Sequence, residues 1–316
     1  MIITIVQTTK TCIMNADTRY SKIKMVLRVD FDHIVKRLES LDINLYDFSL
    51  YQNGQIYSHR FQAVNRCNDI YSVTKAFVIT AVGLLWDDGK LDPDRMIALY
   101  FREEFEHYHP DPAWRMVTVE QVMRHRIGFD EDFLDIDYDD PWKYPSDDFL
   151  KLVFEHPIKN VPGSSRQYSD AAAYLLSRLV EKIAGEPLDN LLQRRIMAPL
   201  HVREAAWSRC PFNHPIGATG LYMSAHDMVK LGALYLDKGC YDGKRLLSRE
   251  WVRTVIGNEY EFHAVTPNGL YAKEGMMGQG IVFCEEKGFA AAWHSYEENR
   301  TISHQVLELM REIAME

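Results

Sequence analysis

Residues 69–89 read Asp-Ile-Tyr-Ser-Val-Thr-Lys-Ala-Phe-Val-Ile-Thr-Ala-Val-Gly-Leu-Leu-Trp-Asp-Asp-Gly. The apolar run from Ala76 to Trp86 predicts a buried helix, and the Asp88-Gly89 pair predicts its end. Ser72 and Lys75 then lie one turn apart on one face of that helix. A serine hydroxyl is a weak nucleophile that needs a base beside it, and a lysine at this spacing can serve once it loses a proton. The stretch therefore predicts a nucleophile and a base at the positive end of a helix dipole.

Taken alone, the tetrapeptide Ser72-Val73-Thr74-Lys75 favours a second interpretation. Ser72 would then be a helix N-cap, and Lys75 would be a solvated residue of the first turn. A short motif becomes specific only when the rest of the chain supplies its expected context. The other segments of the sequence therefore decide between the two interpretations.

Strand patterns occur towards both ends of the chain. Apolar residues at helical spacing over 31–41 predict an N-terminal helix, and Asn53-Gly54 between two alternating segments predicts a β-hairpin. Near the other end, residues 280–284 and 289–293 alternate as two strands, and residues 302–313 predict a closing helix. These two ends are expected to contribute to one sheet.

Helix patterns fill the middle of the chain. Thr118 and Gln121 form a capping box, and residues 171–184 form a helical run that is closed by Gly185. The sequence therefore predicts an α+β fold, an α/β sandwich. In it, an antiparallel sheet is flanked by the N- and C-terminal helices and carries an inserted all-helical domain.

The predicted division of the chain follows from this arrangement. Residues 1–24 are expected to be a poorly structured extension, and Met25 is a candidate start of the folded chain. Residues 25–75 and 245–316 are expected to form the sheet domain, and residues 76–244 the helical domain. The active site is expected between the two domains.

The composition excludes several classes of protein. A net charge of -9 argues against a nucleic-acid partner, and no stretch is apolar for long enough to span a bilayer. The N-terminus lacks the basic leader and cleavage site of a secretory signal. The five cysteines are scattered, without Cys-x-x-Cys spacing, which fits a reducing compartment. We therefore expect a cytoplasmic protein without a membrane partner.

The segments together resemble the serine β-lactamase and penicillin-binding-protein-like hydrolase superfamily. The branch is the one that holds class C β-lactamases, D-aminopeptidases and esterases. The resemblance runs from about Phe48 to about Ala292 and implies a β-lactamase/transpeptidase-like fold. Its pieces follow the order of the family: Ser72-Val73-Thr74-Lys75, Asp88-Gly89-Lys90-Leu91, Met123 to Phe129, Pro162-Gly163, Tyr168-Ser169-Asp170, Gly220 to Met228 and Lys273-Glu274-Gly275.

The resemblance implies a role for each motif. Ser72 would be the nucleophile, and Lys75 and Tyr168 are the two candidates for general base. Lys273 would lie beside Tyr168 and help to hold its phenol ionised. The backbone N–H groups of Ser72 and Met276 would form the oxyanion hole.

Gly275 would let the strand backbone approach the substrate closely. The resemblance implies neither a metal nor an organic cofactor. Asp135, Asp137 and Asp139 match the start of a calcium loop, but Asp140 and Ser146 replace the glycine and glutamate that such a loop needs. His125, within the third of the matching segments, is expected to be a structural hydrogen-bonding residue.

Two departures from the family pattern bear on the substrate. Asp170 stands where asparagine is usual, and a carboxylate there would raise the pKa of Lys75. Tyr168 would then be the better candidate for general base. Alternatively, Asp170 would serve as an N-cap. Glu274 replaces a hydroxyl residue and would repel a substrate carboxylate. With Asp170, Glu274 and Gly275 as substrate-binding residues, we expect a neutral or cationic ester or amide as substrate.

Three functions remain open at this point. The first is a serine hydrolase that cleaves a small ester or amide through an acyl-enzyme on Ser72. The second is a β-lactamase or D,D-peptidase. The third is a catalytically idle relative that binds a ligand in the same cleft, which the unusual Asp170 keeps open.

Overall fold

The computed structural model describes residues 29–316, so the predicted extension over residues 1–24 and the candidate start at Met25 lie outside the described residues. Alternating and β-branched segments form strands in a main sheet and in two small ones. The strands are β1 Leu45–Gln52, β2 Gln55–Arg60, β3 Asn68–Asp69, β4 Ala205–Trp207, β5 Leu221–Met223, β6 Cys240–Tyr241, β7 Lys244–Arg245, β8 His263–Thr266, β9 Leu270–Glu274, β10 Gly280–Cys284 and β11 Phe289–Ser295.

Helices connect and cover these strands. They are α1 Phe31–Glu39, α2 Thr74–Asp87, α3 Arg102–His107, α4 Val119–Met123, α5 Phe149–Glu155, α6 Asp170–Ala184, α7 Leu188–Leu192, α8 Ala225–Leu236, α9 Arg249–Asn258, α10 Arg300–Ser303 and α11 Gln305–Met315. Over residues 29–316, none of them combines the length and the apolar character needed to cross a bilayer.

The main sheet joins the two ends of the described chain. Within residues 29–316 it has six antiparallel strands in the order β2-β1-β11-β10-β9-β8. The hairpin of β1 and β2 turns at Asn53 and Gly54, whose φ angles of 52° and 76° are those of the predicted two-residue turn. The predicted antiparallel sheet and its hairpin are confirmed.

Helices cover both faces of this sheet. On one face, α1 and α11 pack their apolar residues, such as Ile34, Leu38 and Met310, into a cluster with Phe48 and Val282. On the other face, α8 packs against β1, β10 and β11. The result is the predicted α+β sandwich with helices from both ends of the chain.

Helix α2 is enclosed by the rest of the molecule, and its residues from Thr74 to Leu85 are all buried. It packs on α6, α7 and α9. The approach of α9 requires Gly83, because a Cβ atom at this position would lie 2.2 Å from Nε1 of Trp251. The tetrapeptide at the start of α2 is therefore fixed to the centre of the fold.

The predicted domain boundaries stay a prediction. The helices from α2 to α7 fall within the span 76–244 that was predicted to be the helical domain, apart from the first two residues of α2. Helix α8 falls within the same span, yet it packs on the sheet rather than on the helical group. A division by contacts would therefore assign α8 to the sheet layer.

Local signals account for the helix ends near the cleft. Thr118 and Gln121 form the predicted capping box at the start of α4. Helix α6 ends at Gly185 with a φ of 71°, also as predicted. Its N-cap is Ser169, whose hydroxyl accepts the N–H of Ala171. The alternative that Asp170 caps this helix was wrong, because Ser169 fills that role and Asp170 becomes the first helical residue.

Candidate active site

The predicted nucleophile lies on a short, strained turn. Ser72 belongs to the 3-10 turn Tyr71–Val73 that leads into α2, and Tyr71 has a φ of 47° without being a glycine. The Asp69 carboxylate accepts the backbone N–H of Tyr71 at 2.7 Å and that of Gly220 at 3.3 Å. These bonds hold the turn in its strained conformation, as is common at functional sites.

Lys75 is buried, and its ammonium group has three acceptors. Its Nζ atom lies 2.9 Å from Oγ of Ser72, 2.8 Å from the Ala218 carbonyl oxygen and 2.8 Å from Oδ1 of Asp170. Burial disfavours the charge, but the interactions with Tyr168 and Asp170 outweigh it and raise the pKa of Lys75. The three protons of an ammonium group match these three acceptors, so Lys75 is a charged donor to Ser72.

Tyr168 approaches the same hydroxyl from another side. Its phenol oxygen lies 2.9 Å from Oγ of Ser72. Its ring stacks on the ring of His125, with 4.6 Å between the centroids. The Nζ atoms of Lys75 and Lys273 lie 4.9 Å and 5.2 Å from the centroid of the tyrosine ring. Two lysine ammonium groups thus lie against the ring whose hydroxyl reaches Ser72.

Lys273 lies in the same cleft, on β9, but its hydrogen bond goes to a residue that the motifs did not indicate. Its Nζ atom lies 2.5 Å from Oε2 of Glu261, and Oε1 of Glu261 lies 2.8 Å from Nε2 of His125. Burial opposes the charge on Lys273, but the Glu261 carboxylate outweighs it and raises the pKa of this lysine. Lys273 thus reaches the Tyr168 ring while Glu261 holds its ammonium group.

The end of β9 runs directly against the nucleophile turn. A Cβ atom at Gly275 would lie 2.5 Å from the Ile70 carbonyl oxygen and 3.2 Å from Cβ of Tyr71. Ser72 and Met276 both line the cleft at this point. Within the part of the chain that the structure describes, neither backbone N–H donates to another group. An oxyanion hole requires two N–H donors aimed at the developing charge, and this role of Ser72 and Met276 stays a prediction.

The cleft has a volume of about 1140 Å³ and is lined by both acidic and basic residues. Asp132, Asp135 and Asp137 form an acidic wall together with Asp170, and Arg124 and Arg166 also line the cleft. Burial, reinforced by neighbouring carboxylates, raises the pKa of Asp135 to about 6. The pKa of Asp137 is also raised to about 6, mainly by burial. The cleft therefore gains negative charge as the pH rises through 6.

Two of these carboxylates also meet Asp170. The carboxylate oxygens of Asp135, Asp137 and Asp170 lie within 4.8 Å of one another, a spacing that could hold a cation. The Asp170 carboxylate already bonds to the ammonium group of Lys75, and Asp137 accepts the hydroxyl of Thr219 at 3.0 Å. The group is thus a negative wall beside Lys75 that includes the predicted substrate-binding residue Asp170.

Glu274 was predicted to repel a substrate carboxylate. It lines the cleft, and its Oε1 atom lies 2.7 Å from Nδ1 of His304, just before α11. The effect of Glu274 on an anionic substrate stays a prediction.

Sequence reasoning missed Glu261, Ala218 and His304. Ala218 acts through its carbonyl group, which carries no side-chain signal, although it lies two residues before the segment that starts at Gly220. Glu261 stands between Tyr260 and Phe262 without any motif. Only the fold brings the loop after α9 to the end of β9, so no local pattern could have indicated this carboxylate.

Comparisons with known proteins point to one family. A family model described as beta-lactamase matches residues 53–296. A 6-aminohexanoate-dimer hydrolase from Paenarthrobacter ureafaciens is 24% identical over 272 residues, covering 78% of this chain and 69% of that protein. The D-alanyl-D-alanine-carboxypeptidase/endopeptidase AmpH from Escherichia coli (strain K12) is 26% identical over 164 residues, which are 46% of this chain and 40% of that protein.

A solved structure supports the same fold. EstCE1, described as a hydrolase with promiscuous acyltransferase activity, superimposes with a TM-score of 0.68 at 14% sequence identity. The match covers 90% of this chain and 97% of that one. At this identity, the likeness concerns the fold alone. The part that matches AmpH is less than half the length of that protein.

Proposed function

The chain belongs to the beta-lactamase family of serine hydrolases, and on that premise we propose that it cleaves a small ester or amide through an acyl-enzyme on Ser72. The observation that carries this proposal is the approach of two polar groups to one hydroxyl. The Nζ atom of Lys75 and the phenol oxygen of Tyr168 each lie 2.9 Å from Oγ of Ser72. This is the spacing at which a base can take up the proton of a nucleophile.

The proposed first step is the acylation of Ser72. Tyr168 in its ionised form takes the hydroxyl proton while Oγ attacks the substrate carbonyl carbon. The backbone N–H groups of Ser72 and Met276 bind the resulting oxyanion, and each such donor is worth about 2.7–4 kcal/mol in other enzymes. As the tetrahedral intermediate collapses, the C–O or C–N bond breaks and Tyr168 returns the proton to the leaving group.

The proposed second step is hydrolysis of the acyl-enzyme. Tyr168, ionised again, takes a proton from a water molecule that attacks the acyl carbon. The bond between that carbon and Oγ of Ser72 then breaks, the acid product leaves, and Tyr168 returns its proton to Oγ. Lys75 stays an ammonium group in both steps. This role is supported by the three acceptors around its Nζ atom and by its raised pKa. A protonated Nζ has no lone pair that could accept the proton of Ser72. Tyr168 is therefore favoured over Lys75 as the base.

We further propose a neutral or cationic substrate. The carboxylates of Asp132, Asp135 and Asp137 along the cleft favour a positive group over a negative one. Glu274 lines the same cleft, beside His304. A β-lactamase or D,D-peptidase activity is the second candidate, supported by the partial match to AmpH.

Covalent labelling of Ser72 tests the proposed nucleophile. A fluorophosphonate probe should add one adduct to the native protein at Ser72, located by peptide mass spectrometry. Ser72→Ala should abolish the adduct because it removes the attacking oxygen. Ser40→Ala, which removes an exposed hydroxyl remote from the cleft, should label like the native protein. A folded native protein that stays unlabelled would contradict the proposal.

A further inference from the structure

A buried carboxylate outside all of the recognised motifs connects three groups of the proposed site. Glu261 lies in the loop between α9 and β8, and its side chain is 4% exposed. One of its oxygens lies 2.5 Å from Nζ of Lys273, and the other lies 2.8 Å from Nε2 of His125. Both partners in turn contact Tyr168. Glu261 therefore stands one contact away from the phenol without touching it.

The hydrogen bonds fix the protonation of His125. Its Nδ1 atom accepts the backbone N–H of Ser169 at 3.2 Å, so Nδ1 carries no proton. Nε2 must then carry the proton that is donated to Glu261. This ring, held at both nitrogens, stacks on Tyr168 at 4.6 Å. The ring that stacks on the phenol is thus held in one tautomer by Ser169 and anchored through Nε2 by Glu261.

The same carboxylate keeps Lys273 charged at a buried position. An ammonium group loses its proton readily when it is buried without a partner. Glu261 supplies that partner at 2.5 Å and so holds a positive charge 5.2 Å from the ring centroid of Tyr168. Without the carboxylate, Lys273 would be free to deprotonate or to change rotamer.

The backbone around this group is strained in a way that favours a functional role. Glu261 and His125 have φ angles of 65° and 55°, a region that side-chain-bearing residues rarely adopt. Glu259, two residues before Glu261, also has a positive φ, at 53°. Such outliers persist only where the surroundings hold them, and they cluster at active sites.

We propose that Glu261 is a positioning residue of the hydrolase. By bonding to Lys273 and His125 together, it fixes both against the ring of Tyr168 and aligns the phenol with Ser72. In metal sites, loss of an outer partner that orients a ligand commonly costs about 10–100-fold in activity, and we expect an effect of similar size here. The proposed roles of Ser72 and Tyr168 must hold for this alignment to matter, so the inference rests on the proposed function.

The test compares two buried carboxylates that make similar contacts. Glu261→Gln removes the charge at the site with little change in shape. Glu181→Gln is the matched control, because Glu181 also joins a cation and a histidine, Arg178 at 3.0 Å and His214 at 2.8 Å, near the far end of α6. Both variants lose a buried anion, so both should unfold at a lower temperature than the native protein.

Hydrolysis of a neutral aryl ester separates positioning from folding. Glu261→Gln should lower kcat about tenfold or more with little change in KM, whereas Glu181→Gln should keep native kinetics below its unfolding temperature. The pH profile gives a second readout. The groups that act on the Lys273 ammonium are Glu261 from the loop, Tyr168 before α6 and Lys75 on α2. Loss of the Glu261 charge lowers the pKa of Lys273, so the alkaline limb of kcat should move to lower pH.

Glu261→Asp provides a variant that retains the charge. Its side chain is one methylene shorter, so the carboxylate cannot span both partners. We therefore expect a lowered kcat, whereas the alkaline limb of the pH profile should stay at the pH of the native protein. A Glu261→Gln protein that matches Glu181→Gln in kcat and in pH profile would overturn the inference and leave Glu261 a purely structural residue. A native protein without turnover or Ser72 labelling would overturn the proposed function, and the inference with it.

Discussion

At the scale of single residues, the cleft depends on pairs of opposite charge that are hidden from water. Lys75 with Asp170 and Lys273 with Glu261 each form such a pair close to Tyr168. Removing one member of a buried pair is costly because it leaves the other charge without compensation. These lysines are therefore held in a defined protonation state, and their partners control the behaviour of the site with pH.

Asp170→Asn tests the role of Lys75. The amide can still accept a hydrogen bond but no longer carries a charge, so the pKa of Lys75 should fall from its raised position. We expect the free energy of unfolding to drop by about 1–3 kcal/mol. Because Lys75 must stay protonated in the proposed mechanism, the alkaline limb of kcat/KM should also move to lower pH.

A pH–rate profile of native and Asp170→Asn proteins with a neutral aryl ester, together with thermal unfolding, measures both effects. The opposite result is equally informative. A higher rate at neutral pH, with the acid limb moved to lower pH, would assign the general base to Lys75 rather than to Tyr168. Asp170 would then be a residue that restrains the activity.

The residues of the site were predictable where a motif identified them. Ser72, Lys75 and Tyr168 come together as the resemblance implied, because their spacing and order are features of the sequence. Glu261 could not be predicted, because its proximity to Lys273 depends on how β8 and β9 pair. The roles of Met276, Glu274 and Gly275 toward a substrate stay predictions.

At the scale of elements, the position of Ser72 depends on how α2 packs. The helix is surrounded by other helices, and α9 approaches it at Gly83, where Trp251 occupies the space of a side chain. The alternation and helix patterns predicted α2, α6 and the hairpin of β1 and β2 because local signals define these elements. The sequence did not predict that α8 would pack on the sheet, because its apolar pattern does not specify a partner.

Gly83→Ala tests this contact. A Cβ atom would lie 2.2 Å from Nε1 of Trp251, so α9 must move, and we expect a loss of about 1–3 kcal/mol in the free energy of unfolding. Gly257→Ala is the matched control, since nothing lies within 4 Å of its added Cβ atom. At this position in α9, the change to alanine should leave the free energy of unfolding unchanged or raise it by up to about 1 kcal/mol.

Chemical denaturation of both variants measures the difference directly. Equal stability of Gly83→Ala and Gly257→Ala would mean that α9 does not depend on the close contact. We expect Gly83→Ala to affect stability more than activity, because Trp251 contacts the end of α2 that is remote from Ser72.

At the scale of the whole molecule, charge is distributed unevenly around the cleft. The chain carries a net charge of -9, and carboxylates with raised pKa values line one wall of the cleft. Fields of this kind change the local concentration of charged substrates. The uneven charge could be suspected from the acidic stretch at residues 130–140, but the raised pKa values could not, because they arise from burial in the folded state.

The pH dependence of KM tests the proposed substrate class. Asp135 and Asp137 take up protons as the pH falls through about 6, so the acidic wall loses negative charge. Between pH 7.5 and 5.5, the KM of a cationic amino-acid amide should rise about two- to tenfold, given the modest strength of solvent-exposed ion pairs. The KM of a neutral aryl ester should stay flat over the same range and serves as the control.

A chromogenic cephalosporin completes this comparison as an anionic substrate. We expect poor turnover of the cephalosporin at pH 7.5, because the acidic wall repels its carboxylate. Efficient turnover of the cephalosporin, with the ester and the amide inert, would contradict the proposed substrate class and favour the β-lactamase alternative.

The enclosure of α2 has a consequence for how this protein loses activity. Backbone amides in a helix that is buried on every side are freed only when most of the molecule opens. Fraying of a surface loop cannot displace Ser72 while α2 remains enclosed. Displacement of Ser72 on heating should therefore coincide with cooperative melting of the entire protein.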